Sequence, residues 1–256
     1  KAGFILHEED FELRSPGGGV PYKFIYKLIN KKITKDVSKY QRVSLDMIEN
    51  RQEILNIDQC KKSLECLEEK GFKAAIPVRY HDFAKLYSLL PLDRYEFHMS
   101  DSDTNYDLKG FKYPKNVKLK QVIVHCVEQF NDGFILNLAS NNSEIRERSI
   151  NEIRKLCNHT KFISEKFSPE KKPMIILNPG GSSTMAEGFL GKDECLRVED
   201  NLSKVLIELY KEWPGIDFLL QTMPPFPWHL GGKGFHNILV QSESIIRLAN
   251  ATEMGI

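Results

Sequence analysis

From residue 73 onward, short apolar runs alternate with amphipathic stretches. Lys73–Arg79, Arg94–Ser100, Gln121–Cys126, Pro173–Asn178 and Asp217–Thr222 are compact enough, and apolar enough, to read as strands of a buried sheet. Between them, His81–Leu90, Ser143–His159 with Ser143 as its cap, and Glu199–Trp213 read as helices. In the last of these Leu202, Val205, Leu206, Leu209 and Tyr210 recur at the helical period. A final helix is expected over Ser242–Asn250. Strand then helix, repeated, predicts a parallel sheet with right-handed crossovers. Such strands make either an open doubly wound sheet or the first part of a (β/α)8 barrel. No glycine fingerprint follows the first strand, which favours a barrel cut short.

The earlier chain has a different rhythm. Asn50–Lys70 is expected to be helical, with Ile57, Leu64 and Leu67 on one side and Gly71 as its stop. Before it, Lys1–Leu6, Glu8–Arg14, Lys31–Val37 and Val43–Ile48 are short extended pieces set between polar turns, with an aromatic segment over Tyr22–Ile29. They predict a small β-rich unit, marginal by itself because so short a chain buries little surface.

Composition narrows the function. There are 36 Lys and Arg against 35 Asp and Glu, so no global field draws in nucleic acid or an anionic membrane. No apolar run approaches the length of a bilayer span and the start has no signal-peptide pattern, which places the expected location in the cytoplasm. The five cysteines, Cys60, Cys66, Cys126, Cys157 and Cys195, include no C-x-x-C pair; they are expected to be reduced and mostly buried rather than a disulfide framework or a zinc site. The chain opens at Lys1 inside what reads as a motif and closes at Ile256 where a new strand begins, so it is expected to be a fragment.

Candidate chemistry gathers at the strand ends. In order they present Arg79 and His81, then His98, Ser100 and Asp101, then His125 and Glu128, then Asn178, then Gln221. A barrel performs its chemistry at this rim. After the last predicted strand, Leu219–Gly234 breaks into prolines, Phe226, Trp228 and His229, then Gly231-Gly232-Lys233-Gly234. That loop offers flat apolar faces and a cation. Asn178-Pro179-Gly180-Gly181-Ser182-Ser183-Thr184 offers glycines and hydroxyls whose backbone N–H groups can approach an anion. Neither loop is a P-loop.

Lys1-Ala2-Gly3-Phe4-Ile5-Leu6, Asp10-Phe11, Arg14-Ser15-Pro16-Gly17-Gly18-Gly19-Val20, Leu28-Ile29 with Lys31, and Asp36-Val37 together resemble the SAF, or antifreeze-like, domain of sialic acid synthases and their legionaminic- and pseudaminic-acid relatives. In that family the domain lids the active site of a partner subunit's synthase barrel, and an arginine reaches the N-acyl sugar. Arg14 is the matching position, although Ser15 stands between it and the proline. The rest of the chain resembles the xylose-isomerase-like barrels, which include sugar-phosphate isomerases, epimerases and endonuclease IV. More narrowly, Tyr95-Glu96-Phe97-His98-Met99-Ser100, Gln221–His229 and Phe235-His236-Asn237 resemble the isomerase-like region fused behind the SAF domain in a subgroup of synthase-like proteins.

The resemblances imply an α/β chain made of a truncated β-rich SAF (β-clip) domain at 1–50, then an incomplete TIM barrel of xylose-isomerase-like type at 51–256. The implied function is part of a nonulosonic acid biosynthesis enzyme that condenses phosphoenolpyruvate with an N-acyl sugar, joined to a sugar or sugar-phosphate isomerase or epimerase. His98, His125 and His229 are the expected proton carriers, because imidazole titrates near neutral pH. Arg14, Arg79, Asn178, Gln221, Trp228 and Lys233 are the expected sugar contacts. A homodimer through the synthase part is expected. Metal-dependent barrels of this group usually carry a glutamate where this chain has Gln221, a weaker ligand for a hard cation, so a divalent metal is left open for the intact protein. The rival is a non-catalytic sugar-binding or scaffolding module. An abasic-site endonuclease is disfavoured by the missing basic stripe.

Overall fold

The computed structural model describes residues 1–12, 20, 22–39, 41, 43–48, 57–114, 117–167, 169–224 and 234–252. The chain divides into two compact units, Lys1–Cys66 and Leu67–Ile256.

In the first unit Leu6, Leu28, Ile33 and Ile48 form a small buried cluster, with Phe11, Val20, Val37, Val43 and Leu45 packed on it. Among the described residues the expected short strands appear as isolated pairings, Ile5 with Lys32 and Ile33 with Ile48, with backbone hydrogen bonds from Gly3 N to Ile33 O and from Leu6 N to Lys31 O. Tight turns take up the backbone instead: Glu8–Asp10, Tyr22–Lys27 and Leu45–Met47 are all 3-10 helices. A 3-10 turn closes its hydrogen bonds locally, although Met47 O still accepts from Thr34 N at 2.8 Å. Helix α1, Ile57–Glu69, follows. Ile57 and Leu64 are half-buried along it, whereas Leu67 is 41% exposed. The Gly71 N–H bonds Glu68 O and the Phe72 N–H bonds Leu67 O, with Gly71 at φ +80°, so the predicted glycine stop is a Schellman end.

The second unit is a mixed α/β body around a parallel sheet. Its strands are β1 (Ile76–Val78), β2 (Arg94–His98), β3 (Gln121–His125), β4 (Met174–Leu177) and, after a short β5 (Ser182–Thr184), β6 (Asp217–Leu220). The sheet order is β1-β2-β3-β4-β6, all parallel. Each strand therefore lies beside its predecessor in the chain. A doubly wound sheet reverses its order at a switch point, and this one does not. With crossovers of one hand, sequential order sends the connecting helices to one face.

Burial agrees with that. Tyr95, Phe97, Val122, Val124, Ile175, Leu177, Phe218 and Leu220 are at most 3% exposed and join one core with Ile153, Leu156 and Ile163 of helix α4 (Ser143–Phe167) and with Leu202, Leu206 and Leu209 of helix α5 (Lys192–Glu212). The alternate positions Glu96, His98, Ile123, Ile176 and Leu219 are half-buried on the other face. The two intervening helices are α2 (Phe83–Leu89) and α3 (Asp101–Thr104), and α6 is Ser242–Thr252.

Three helical boundaries differ from the sequence expectation. The cap of α4 is Asn142, not Ser143: its Oδ1 accepts the N–H of Glu144 at 2.9 Å. The helix runs on to Phe167 because Ile163 and Phe167 extend its buried stripe. Helix α5 begins at Lys192, about two turns before Glu199, with Asp193 and Glu194 favourably placed in the positive first turn. The five cysteines are free, but only Cys126 and Cys157 are buried; Cys60 and Cys195 are half-buried and Cys66 is exposed.

Candidate functional site

Strand alternation puts Glu96 and His98 together on the half-buried face of β2, while Tyr95 and Phe97 point into the core. Register then sets His98 beside His125 at the end of β3. The two imidazoles stack, with ring centroids 4.3 Å apart and planes 17° from parallel.

Each ring is fixed at Nδ1. That of His98 lies 2.9 Å from Glu96 Oε1, and that of His125 lies 3.0 Å from the Cys126 carbonyl oxygen. A carboxylate and a carbonyl only accept, so both Nδ1 atoms carry hydrogen. The Nε2 atom of neutral His98 is then a lone-pair site on a side chain 44% exposed. The hydrogen bond from His98 holds the Glu96 carboxyl below the usual carboxylate range, against the opposing effect of burial and with help from the charges His125 and His98 can carry.

His125 Nε2 lies 3.0 Å from Gln221 Oε1. The backbone reaches this point as a continuation of the ladder, the Gln221 N–H bonding Leu177 O at 2.9 Å. With Nδ1 already protonated, Nε2 accepts from the Gln221 amide NH2 when the ring is neutral and donates to the amide oxygen when it is imidazolium. A half-turn of the amide exchanges the two states.

Asn178, at the end of β4, is committed on every side. Its Nδ2 donates to Glu128 Oε1 at 2.9 Å, its Oδ1 accepts from Gly180 N at 3.3 Å, and its own N–H points to Cys126 Sγ at 3.2 Å. Burial pushes that thiol up to about 12, which removes Cys126 as a thiolate nucleophile. Glu128, Asn178, Gly180, Ser182 and His236 line a hollow of ≈ 10 Å³. This is about the space of one water molecule.

The glycine loop after β4 is a packing junction. Gly180 and Gly181 have φ of +84° and +75°, and an added Cβ would stand 2.6 Å from Asn137 Cα and 2.4 Å from Ile238 Cγ1 respectively. Their amides donate to Asn178 Oδ1 and Asn137 Oδ1, so neither faces outward to an anion. Asn237 fastens the same loop: its Nδ2 donates to Gly181 O and Ser183 Oγ, and its Oδ1 accepts from Leu190 N. Beyond the loop, β5 pairs antiparallel with β7 (Gly234–His236), a ribbon of three residues a side that the sequence did not predict.

Arg79 lies one residue past β1 and donates from Nη1 to Asp103 Oδ2 at 2.6 Å. That oxygen also accepts from Ser100 N and Oγ, so Ser100 is drawn into capping α3. Asp101 accepts from Asn131 N and Asn105 Nδ2. His81 is 71% exposed and lies 3.9 Å from Asp82. The structure thus brings together His98, His125 and Gln221, sets Asn178 on the strand between the last two, and ties Arg79 to α3. Arg14, Trp228, His229 and Lys233 lie outside the described residues. Glu96 was absent from the predicted site residues, although its i−2 spacing from His98 on a strand was the signal for it.

A divalent metal does not fit the imidazole pair as placed. A ligated metal lies in the plane of its imidazole, and two nearly parallel planes share no point within bonding reach of both rings. Among the described residues no group of three His, Cys, Asp or Glu side chains is arranged to hold a metal.

No family model and no curated protein matches the chain. Among solved structures it is similar to one of L-ribulose 3-epimerase, with 17% sequence identity and a TM-score of 0.41. The match covers 70% of this chain and 57% of that one, so the chain spans little more than half that structure's length. No described helix is long and apolar enough to cross a membrane.

Proposed function

We propose that the unit from Leu67 onward is a barrel-type, sugar-handling module in which His98 and His125 transfer protons on a carbohydrate or sugar phosphate. The observation that carries this is the stacked pair at adjacent strand ends, each ring tied at Nδ1 to an acceptor and set on the face opposite the helices. A base held in one tautomer beside a second proton carrier is what enolisation of a sugar requires. Sequential strand order supports the barrel.

The wider reading, a nonulosonic acid biosynthesis enzyme with residues 1–50 as its SAF lid and Arg14 on an N-acyl sugar, rests on the sequence motifs alone. A cytoplasmic homodimer belongs to the same reading. One observation favours the non-catalytic sugar-binding rival: the Gln221 amide occupies Nε2 of His125.

Exchange of sugar C–H protons in deuterium oxide separates the two. Catalysis predicts exchange that falls at least ~100-fold in His98→Asn, the range for losing a general base, with unchanged thermal unfolding. Sugar-dependent protection against unfolding with no exchange leaves the binding module as the better account.

A further inference from the structure

Resting on that proton-transfer reading, we infer that Glu96 is the positioning residue of the reaction: its carboxylate holds His98 in the tautomer that leaves Nε2 bare, and stabilises the ring once a substrate proton has charged it. Among the described residues the His98 ring is the hydrogen-bond partner of that carboxylate, and Nε2 on the opposite edge of the ring is open. His98 is therefore the ring of the pair that meets a substrate proton first, since Gln221 already occupies Nε2 of His125.

Glu96 is not placed like an ordinary surface carboxylate. It is the middle residue of β2, with Pro77 and Ile123 as its register partners on the two neighbouring strands. Neither flanking side chain has a hydrogen to donate, and the Glu96 side chain is only 25% exposed. A carboxylate drawn partly out of water onto an apolar surface costs free energy unless a donor meets it. The Nδ1–H of His98, at 2.9 Å, is that donor. The same bond holds the Glu96 carboxyl below the usual carboxylate range against the opposing effect of burial, so the group is charged at neutral pH. A spacing of two residues on a strand brings both side chains to one face, and β2 is paired on both sides, so the ring is anchored from a rigid element.

The charge of Glu96 acts on the step itself. While His98 is neutral, its Nδ1–H donates to the carboxylate as one dipole to one ion. Once Nε2 has taken a proton, the same bond joins two opposite charges and strengthens. An interaction that grows as the proton moves lowers the barrier without tightening substrate binding. The step balances: the sugar C–H proton goes to Nε2, the C–H electron pair becomes the C=C bond of an enediolate, and the carbonyl π pair moves to oxygen. Nδ1 keeps its hydrogen, and Glu96 keeps its charge.

The test joins a spectroscopic measurement on the whole chain to a kinetic one. With isotope-labelled histidine at alkaline pH, nitrogen NMR should show His98 protonated at Nδ1 and bare at Nε2, its signals assigned by their loss in His98→Asn. Glu96→Leu, checked for native unfolding, should move that hydrogen to Nε2. A parent ring protonated at Nε2, or an unchanged tautomer in natively folded Glu96→Leu, overturns the inference. Glu96→Gln keeps the shape and removes the charge. Deuterium uptake from deuterium oxide into xylose, ribose, arabinose and glucose, each free and as its terminal phosphate ester, then reads the chemistry. In Glu96→Gln the saturating exchange rate should fall about 10–100-fold, the range for losing a hydrogen bond to a charged group, at an unchanged half-saturating sugar concentration. A rate within about twofold of the parent, or a change confined to half-saturation, overturns the inference while leaving proton transfer on His98 standing. No deuterium uptake by any sugar with the parent overturns the proton-transfer reading itself, and the role of Glu96 in it, whatever the tautomer.

Discussion

Gly181→Ala tests whether the loop after β4 is a packing junction. At φ +75° a β-carbon is disfavoured by about 1–2 kcal/mol. The new methyl would also stand 2.4 Å from Ile238 Cγ1 and 2.6 Å from its Cδ1. Ile238 is fully buried, so it has little room to turn aside. Overpacking of a closed core adds about 1–3 kcal/mol, and the two contributions sum to about 2–5 kcal/mol. The assay is urea unfolding followed by tryptophan emission. Both tryptophans, Trp213 and Trp228, belong to the second unit, so the signal reports on that unit alone. A lower midpoint at constant slope is the expected result. Ile238→Ala removes the colliding atoms, so the double variant should lose about 1–3 kcal/mol less than the sum of the single changes. A Gly181→Ala protein within about 0.5 kcal/mol of the parent, or strict additivity in the double variant, would refute the close-packing account.

Two more expectations concern buried polar groups. Glu199, 5% exposed on α5, accepts from Ser244 Oγ at 2.6 Å and from Arg247 Nε and Nη2 at 2.9 Å. Arg247→Leu should cost about 2–3 kcal/mol by leaving that carboxylate short of its cation, somewhat less than a fully buried pair because the guanidinium is half exposed; urea unfolding reads it. His159 sits between Tyr80 Oη and Thr104 O, each at 2.9 Å, and burial lowers its pKa from 6.5, opposed by the Thr104 contact and Asp103. A depressed folded value means the neutral ring stabilises the fold above about pH 6.5, and this support is lost as pH falls through the lower folded value. His159→Gln should therefore flatten the fall of Tm as pH drops below about 6.5, and an unchanged slope would contradict it.

The strands were legible because two signals coincided: apolar runs such as Val122–Val124, and helical stripes such as Leu202–Leu209 between them. Sheet order was not written in any single residue; it follows from how the helices pack. Lys192–Val198 escaped notice as helix because only Val198 in it is buried. The β5–β7 ribbon joins two three-residue segments about fifty positions apart, and neither has a recognisable pattern alone. In the site, His98, His125 and Gln221 could be named from strand ends, but their contacts depend on register across β2, β3, β4 and β6. In the first unit Lys32 and Ile33 do pair with extended neighbours, while Tyr22–Lys27 and Leu45–Met47 close into local turns that no apolar pattern announces.

The sequential winding of the sheet divides its labour by parity. Alternate residues such as Phe97 and Val124 answer to the helices, and those between them, such as Glu96 and Ile123, answer to whatever approaches the open side. Chemistry and architecture thus draw on different letters of the same short words. A lineage can rewrite the proton-carrying residues one at a time, trading imidazole for amide or carboxylate, while the framework that holds them remains unaltered. Gln221, one strand removed from the stack, sits at a position where such a revision would change reactivity before it changed shape.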